Sequence, residues 1–259
     1  MACGNLVNWP KDDLIMTKDT KDGFFYDTRD VLTRNAARKV LSLLRSHMGK
    51  FDSVVDIGCG VGTWLSVAEE ISATRIQGFE ASWVEDEASF VVPRHKIRIQ
   101  NLEDKLDLKE SFDLGICLEV AEHLSENAGE NLVQTMSEHC SSILFSAAIP
   151  GQGGVGHINE QWPAYWQDRF ARFGFEVVDF IRPLIWNDTS LPWWYRQNIV
   201  YFCKSEAASR YYEKLKSDVS LRNNPLPNLV CRPLDQAHCT QQIKHRRLDP
   251  IRRILKRLS

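Results

Sequence analysis

Short apolar runs alternate with longer stretches of mixed polarity along the central part of the chain. The apolar runs predict β-strands over 53–57, 75–79, 96–99, 112–118, 142–148, 175–181 and 199–203. Between several of them, apolar residues recur at helical spacing, which predicts helices over 63–71, 125–139 and 163–173, the last one stopped at Gly174. A first helix is expected to open at Thr33. This alternation predicts an α/β fold: a mostly parallel, Rossmann-like sheet with helices on both faces and a hairpin-like pair of strands at one edge.

The composition changes towards both ends of the chain. We predict a polar N-terminal lid segment over 1–30, one α/β domain over 31–204, and a C-terminal extension over 205–259 that is helical to about Lys216. The end of this extension is basic, and its apolar residues are spaced as one stripe of a helix: Ile251, Ile254, Leu255 and Leu258. Such a tail can dock on an anionic surface or a second subunit, or it can pack on its own domain.

The overall charge and the cysteines exclude some classes of protein. With 32 Lys+Arg against 34 Asp+Glu, the formal net charge is -2, so a dedicated polyanion binder is disfavoured and nucleic acid is an unlikely partner. The 7 cysteines are scattered and contain no Cys-x-x-Cys pair, which favours reduced thiols over a zinc knot. No apolar run approaches the ~20 residues that a membrane span requires. We therefore expect a cytoplasmic protein without a membrane span.

A glycine-rich turn follows the first predicted strand. Gly58, Gly60 and Gly62 alternate behind Asp56, at the position where open α/β sheets bind ligands outside the carboxyl ends of their strands. Glycine lacks a Cβ, so the chain can turn tightly and its N–H groups can approach a cofactor closely. Glu80 ends the next predicted strand, where its carboxylate could accept hydrogen bonds from both hydroxyls of a ribose. The spacing D-x-G-x-G-x-G differs from the G-x-G-x-x-G of nicotinamide-binding proteins.

Several motifs resemble those of the class I S-adenosylmethionine (SAM)-dependent methyltransferases. Residues 54–65 are similar to the first motif of that family, 78–80 to the second and 112–124 to the fourth-strand motif, and the resemblance spans roughly residues 30–203. It implies a seven-stranded sheet and SAM bound across the strand ends. The residues implied in cofactor binding are Asp56, Gly58, Gly60, Gly62, Glu80, Asn101, Leu102, Leu118 and Glu119. Asn101 replaces the usual Asp, but its amide oxygen can still accept a hydrogen bond from the adenine amino group.

A second constellation follows the fourth predicted strand. Glu119, Glu122 and His123 are spaced i, i+3 and i+4, which places them on one face if the segment is helical. Carboxylate and imidazole together suit Mg²⁺, Mn²⁺ or Fe²⁺. The arrangement resembles that of the ubiquinone-pathway O-methyltransferases and the small-RNA 2′-O-methyltransferases, in which a histidine after the fifth strand completes a metal site. His157 takes that place here, so the implied metal ligands are Glu119, Glu122, His123 and His157.

An interpretation without metal stays open. Glu119 and Glu122 would then stabilise a helix N-terminus, which favours negative charge. His123 and His157 would be polar residues of the pocket, with His157 as general base because imidazole titrates near neutral pH. In both interpretations we predict that Glu122, His123 and His157 are the catalytic residues.

Two aromatic-rich stretches, 162–166 and 186–198, are expected to frame the substrate. Part of their tryptophans should belong to the core, whereas the polar residues between them suit sugar rings: Asn159, Glu160, Gln161, Arg196, Gln197 and Asn198. These stretches resemble a bacterial methyltransferase subfamily associated with glycan and natural-product assembly. The leading hypothesis is an O-methyltransferase acting on a hydroxyl of a sugar-containing or secondary-metabolite acceptor, with assembly as a homodimer left open. The alternatives are an RNA ribose 2′-O-methyltransferase and a non-catalytic SAM-binding or partner-binding module.

Overall fold

A computed structural model describes residues 23–82 and 90–215, and their side chains from 31 to 82 and from 90 to 212. Seven strands form one sheet of order β3-β2-β1-β4-β5-β7-β6. They are β1 (Ser53–Ile57), β2 (Arg75–Glu80), β3 (Ile97–Ile99), β4 (Phe112–Leu118), β5 (Cys140–Ser146), β6 (Phe175–Val177) and β7 (Val200–Lys204). Strands β1 to β5 pair in parallel, and β7 runs antiparallel to both of its neighbours. The prediction of a mostly parallel seven-stranded sheet with an antiparallel edge pair is confirmed.

Helices cover both faces of this sheet. They are α1 (Gly23–Met48), α2 (Thr63–Ile71), α3 (Glu126–His139), α4 (Pro163–Ala171), α5 (Ile181–Ile185), α6 (Trp193–Asn198) and α7 (Ser205–Leu215). Successive residues of a strand point to opposite faces, so β5 contributes Leu144 to the core under α1 and α2. Its neighbours Ile143 and Phe145 pack into the second core, under α3 and α4. Burial on both faces explains why these strands read as continuous apolar runs.

Helix ends follow local sequence signals in α3 and α4 but not in α1. Ser125 caps α3, because its Oγ accepts a hydrogen bond from the backbone N–H of Ala128 over 3.3 Å. Pro163 begins α4, where its missing N–H costs no hydrogen bond. Helix α1 begins at Gly23 rather than at Thr33. No proline and no further glycine interrupts the chain before Met48, so the helix extends into residues that we expected to belong to a lid.

Two strands differ from their predicted bounds by two or more residues, and β2, β3 and β7 differ by one. Strand β5 begins and ends earlier than the predicted 142–148, because its ladder with β4 stops at the pair Leu118 and Ser146. Strand β6 stops at Val177, although the prediction extended it to 181. Asp179 and Arg182 form a buried ion pair across the turn into α5, which ends the extended conformation.

No helix within the described residues is long and apolar enough to cross a membrane. The cysteines of this region, Cys59, Cys117, Cys140 and Cys203, are buried and form no disulfide. Residues 1–22 of the predicted lid and residues 216–259 of the predicted extension, with the basic tail, lie outside the described residues.

Candidate functional site

The glycine turn lies at the carboxyl end of β1, between β2 and β4. Gly58, Gly60 and Gly62 have φ of 77°, 55° and 87°, in the left-handed region that favours glycine. The N–H of Gly58 donates to the carbonyl of Phe79 over 2.8 Å, which ties the turn to β2. A Cβ on Gly58 would lie 2.2 Å from Cγ2 of Val120. The turn is therefore packed directly against the segment that follows β4.

Two buried carboxylates flank this turn. Asp56 and Glu80 are each 2% exposed. Oε2 of Glu80 accepts a hydrogen bond from Gly60 N–H over 2.6 Å, and Oε1 accepts one from Ala81 N–H over 2.7 Å. Oδ2 of Asp56 is buried without a hydrogen-bond partner within the described residues. Burial, with the charge of Glu80 as a second cause, raises the pKa of Asp56 well above its ordinary value.

Three further residues implied in cofactor binding also lie at or just after the carboxyl ends of strands: Asn101 and Leu102 after β3, and Leu118 at the end of β4. Leu102 and Leu118 are buried, with 8% and 9% exposure. Asn101 follows β3 and is exposed, and its Oδ1 accepts a hydrogen bond from Glu103 N–H over 3.2 Å. The amide oxygen that we expected to face adenine therefore has a backbone donor in its own turn, of the kind that asparagine commonly makes.

Three of the four predicted metal ligands come together after β4. One ligand atom each from Glu122, His123 and His157 lie within 4.8 Å of one another. The helical condition of the prediction is met only over Ala121–His123, which forms a short 3-10 helix. His157 comes from the loop after β5, whose residues Ile158 and Asn159 both donate their N–H to the carbonyl of Glu122. These two hydrogen bonds hold the loop against the 3-10 helix.

Glu122 is the most buried member of this cluster. It is 0% exposed, and its carboxylate lies near the N–H groups of Glu122 and Ala148 and near the Glu119 carboxylate, but makes no well-formed hydrogen bond within the described residues. Burial raises its pKa well above the ordinary value, and the nearby charge of Glu119 adds to this effect. An unpaired buried carboxylate is costly unless it is protonated or meets a cation. Such a carboxylate beside two imidazoles therefore fits a divalent metal ion.

Glu119 does not join that group. Its N–H donates to the carbonyl of Ser146, and its φ of 55° makes it the one non-glycine residue with a positive φ in the described region. Its carboxylate accepts hydrogen bonds from Nε2 of Gln152 over 3.0 Å and from Nδ2 of Asn198 over 3.1 Å. These amides favour the charged form, but burial dominates and raises the pKa of Glu119. The left-handed turn and the two amides hold this carboxylate beside Glu122, next to the group of three rather than within it.

A second carboxylate supports His157. Oε1 of Glu160 lies 3.1 Å from Nδ1 of His157, and these two side chains are only 6% and 9% exposed. Glu160 also accepts hydrogen bonds from the N–H groups of Gly151 and Gly153. The rings of His123 and His157 meet edge to face, with their centroids 4.7 Å apart.

Residues 26–148 of this chain match a family model described as a methyltransferase domain. The chain carries a class I SAM-dependent methyltransferase domain. Its fold is similar to that of the sugar N-methyltransferase KedS8 from Streptoalloteichus sp., at 17% identity over 79% of this chain and 98% of that chain, with a TM-score of 0.52. The SAM-bound amino pentose methyltransferase CalS10 from Micromonospora echinaspora is 15% identical over 71% of this chain and 97% of that chain, with a TM-score of 0.50. A comparison with curated protein sequences gave no match.

In this methyltransferase the two aromatic stretches divide between core and surface. Trp166 and Tyr195 are buried, at 2% and 8% exposure, whereas Trp162 is 41% exposed. Trp64, on α2 next to the glycine turn, meets Tyr195 edge to face, with ring centroids 5.6 Å apart. The stretch that forms α6 therefore packs against the helix that follows the cofactor turn.

The polar residues of these stretches differ from our expectation for an acceptor pocket. Asn159, Gln197 and Asn198 are buried, at 5%, 4% and 3% exposure. Asn198 and Glu160 instead hold Glu119 and His157, a role that we did not predict for them. We also did not predict that Gln152 would bind Glu119. The one sequence feature that could have indicated this role is its position in the glycine-rich loop after β5.

Proposed function

We propose that this SAM-dependent methyltransferase transfers a methyl group to a hydroxyl of a sugar-containing acceptor, assisted by a divalent cation at Glu122, His123 and His157. The observation that carries this proposal is the buried, unpaired carboxylate of Glu122 beside two imidazoles. When bound, the cation would lower the pKa of an acceptor hydroxyl and orient its oxygen. Two imidazoles and one carboxylate suit Fe²⁺ or Mn²⁺ better than Mg²⁺, and the oxygen of an acceptor hydroxyl could fill an open position on such an ion.

We place the cofactor along the carboxyl edge of β1, β2 and β4. The ribose of SAM would bind Glu80, a carboxylate at the end of β2 that accepts the N–H groups of Gly60 and Ala81 and is chemically suited to accept hydroxyl donors. The methionine end would lie over Gly58–Gly62. Val120 packs on Gly58, so the segment that carries Glu122 and His123 adjoins the place where the methyl group emerges.

The transfer is an in-line displacement with a simple balance of bonds. The acceptor oxygen forms a bond to the methyl carbon, the carbon–sulfur bond breaks, and its electron pair stays on sulfur to give S-adenosylhomocysteine. The hydroxyl proton would leave to solvent water, to which Gly154, Val155 and Gly156, next to His157, are exposed. The chain contributes chiefly by holding the two reactants at near-attack distance.

The acceptor class rests on the surroundings of the cluster. Trp162 presents an exposed indole at the end of the loop that carries His157, and an aromatic plane beside polar groups suits a sugar ring. Similarity in fold to a sugar N-methyltransferase and an amino pentose methyltransferase supports a sugar-containing acceptor. The choice of oxygen over nitrogen rests on the cation cluster alone.

The test is a methyl-transfer screen with SAM labelled in its methyl group. Nucleotide-linked sugars, amino sugars, phenols and RNA are the acceptors, and NMR of the product identifies the methylated atom. We expect an O-methylated sugar, loss of turnover in EDTA, and recovery with Mg²⁺, Mn²⁺ or Fe²⁺. Glu122→Gln should abolish the metal response, whereas Glu126→Gln, an exposed carboxylate four positions later, should leave it unchanged.

The other outcomes contradict separate parts of the proposal. An N-methylated amino sugar would refute the hydroxyl as acceptor, and a labelled RNA ribose would favour the RNA hypothesis. Full activity in EDTA, with no metal found by elemental analysis, would refute the cation and leave His157 as the general base.

A further inference from the structure

Glu160 connects the loop after β5 to the imidazole of His157. Oε1 lies 3.1 Å from Nδ1 of His157 and accepts the N–H of Gly153 over 2.9 Å, while Oε2 accepts the N–H of Gly151 over 2.8 Å. We propose that Glu160 is a positioning residue: it keeps the proton of neutral His157 on Nδ1, so that Nε2 faces the site with a free lone pair. This inference rests on the proposed role of His157 and concerns how the chain prepares that residue.

The chemistry of the pair determines the tautomer. An ionised carboxylate only accepts hydrogen bonds, so the Nδ1 that it faces must be the donor. A neutral imidazole carries a single proton, and placing it on Nδ1 leaves Nε2 as the acceptor or metal ligand. Carboxylates commonly stand behind the histidine ligands of metal sites in this way, and they fix both the tautomer and the ring orientation.

The loop is built to hold Glu160 in place. Gly151 and Gly153 have φ of 91° and 76°, and these left-handed conformations let both N–H groups converge on one carboxylate. The other side of the imidazole is fixed by Gly154, where a Cβ would lie 2.3 Å from Nε2 and 2.4 Å from Cε1 of His157. The ring occupies the space that a side chain at 154 would fill. It is therefore held between Glu160 and a bare backbone.

A positioning role and a purely structural role of Glu160 predict different results. If Glu160 only ties the loop together, its replacement lowers stability and reduces every activity in proportion to the folded fraction. If it positions His157, its replacement changes the protonated nitrogen of one ring. It also weakens metal binding by roughly 10–100-fold, the usual effect of losing a carboxylate behind a histidine ligand.

The first measurement is the tautomer itself, in the full chain with no metal added. Ring-¹⁵N-labelled histidine is observed by NMR at alkaline pH, and the His157 signals are identified by their loss in His157→Asn. We expect the Nδ1–H tautomer in the parent protein and a shift towards Nε2–H in Glu160→Ala. An Nε2–H tautomer in the parent, or an unchanged tautomer in Glu160→Ala, would overturn the inference.

The second measurement is a Mn²⁺ titration followed by calorimetry. Glu160→Gln keeps the size of the side chain but loses its charge, and we expect it to bind Mn²⁺ ~10-fold more weakly with SAM affinity unchanged. Asp113→Asn is the matched control, because Asp113 also accepts two backbone N–H groups, from Asp52 and Ser53, but lies at the amino end of β4. Equal weakening in the control, or none in Glu160→Gln, would assign Glu160 to structure alone. If the parent itself does not bind Mn²⁺, the cation of the proposed function fails, and the tautomer alone decides the role of Glu160.

Discussion

The backbone N–H of Gly60 donates a hydrogen bond to Oε2 of Glu80 over 2.6 Å. This bond joins the turn after β1 to the end of β2, the two parts of the proposed cofactor site. A hydrogen bond within a site reduces the conformational freedom that the site would lose on binding a ligand. The carboxylate of Glu80 therefore has two roles: it orders the turn, and it is the proposed acceptor for the ribose.

We expect Glu80→Ala to weaken SAM binding by more than ~1.5 kcal/mol, the usual contribution of hydrogen bonds to a charged group. This corresponds to a dissociation constant raised more than about tenfold. Calorimetric titration with SAM measures it. Glu103→Ala, which removes a carboxylate bonded to Ser125 instead, is the control. Unchanged affinity in Glu80→Ala would refute the proposed position of the ribose.

Two glycines of the turn should differ in their tolerance of a side chain. In Gly58→Ala the new Cβ would meet Val120 at 2.2 Å, whereas a Cβ on Gly60 has nothing within 4 Å. Both substitutions carry the cost of a left-handed conformation, ~1–2 kcal/mol, and only Gly58→Ala adds overpacking of about 1–3 kcal/mol. The free energy of unfolding, measured with denaturant and without SAM, should therefore be lower for Gly58→Ala than for Gly60→Ala. Equal stabilities would show that Val120 moves aside freely.

The buried carboxylates should make the stability of the metal-free protein fall with rising pH. Burial raises the pKa of Glu122 above its ordinary value of 4.5, so between these two values the folded state binds more protons than the unfolded state. The free energy of unfolding then decreases as pH rises through this window, by up to ~1.4 kcal/mol per pH unit for one group. Asp56, raised by burial and by Glu80, acts in the same direction.

Glu122→Gln removes one of the carboxyl groups that bind a proton more tightly in the folded state than in the unfolded state. We expect its melting temperature to decline less steeply than that of the parent between about pH 5 and pH 8, with ~2–4 °C for each kcal/mol. Glu138→Gln, at an exposed position of α3, is the control and should follow the parent. If the melting temperature of the parent protein does not change over this pH range, burial does not raise the pKa of Glu122.

A truncation tests the predicted extension. Removing residues 242–259 should leave SAM affinity within about twofold, because the described hydrogen bonds that tie the glycine turn to the end of β2 join residues of the 58–81 range to one another. Calorimetry with SAM and sedimentation of the shortened chain measure affinity and association. A shortened protein that no longer binds SAM would show that the tail belongs to the catalytic fold.

The sequence predicted the parts of the molecule that depend on local patterns. Strands β1 and β4 and helix α2 have the predicted bounds, because each is a regular apolar pattern with a clear end. Helices α5 and α6 were not predicted as helices. Each is shorter than two turns. In such short segments, tertiary contacts such as the edge-to-face contact of Tyr195 with Trp64 outweigh weak helix propensities. The predicted end of β6 was wrong because the hydrophobic pattern of the sequence does not show the ion pair of Asp179 with Arg182.

The candidate site was predicted as a set of residues but not as an arrangement. The motif of Glu119, Glu122 and His123 assumed a helix, and spacing alone could not show that the backbone at Glu119 turns left-handed. The partners of this set lie far away along the chain: Asn198 reaches Glu119 from α6. A polar residue in an aromatic stretch can contact a substrate, or it can donate a hydrogen bond to a buried carboxylate. The sequence pattern is the same in both cases, so the three-dimensional structure is needed to distinguish them.

The strand order has a consequence for how the chain is made. Residues up to Ser146 can complete the parallel part of the sheet, β3-β2-β1-β4-β5, as they leave the ribosome, with the edge of β5 still unpaired. Strand β7, the last strand within the described residues, then inserts between β5 and β6. It brings Asn198, which lies just before it, to Glu119. A nascent chain can therefore form the glycine turn early in translation, whereas the hydrogen bonds from Asn198 to Glu119 can form only after α6 has been synthesised. Unfinished chains would have an open sheet edge, a known risk for aggregation, and would lack those hydrogen bonds.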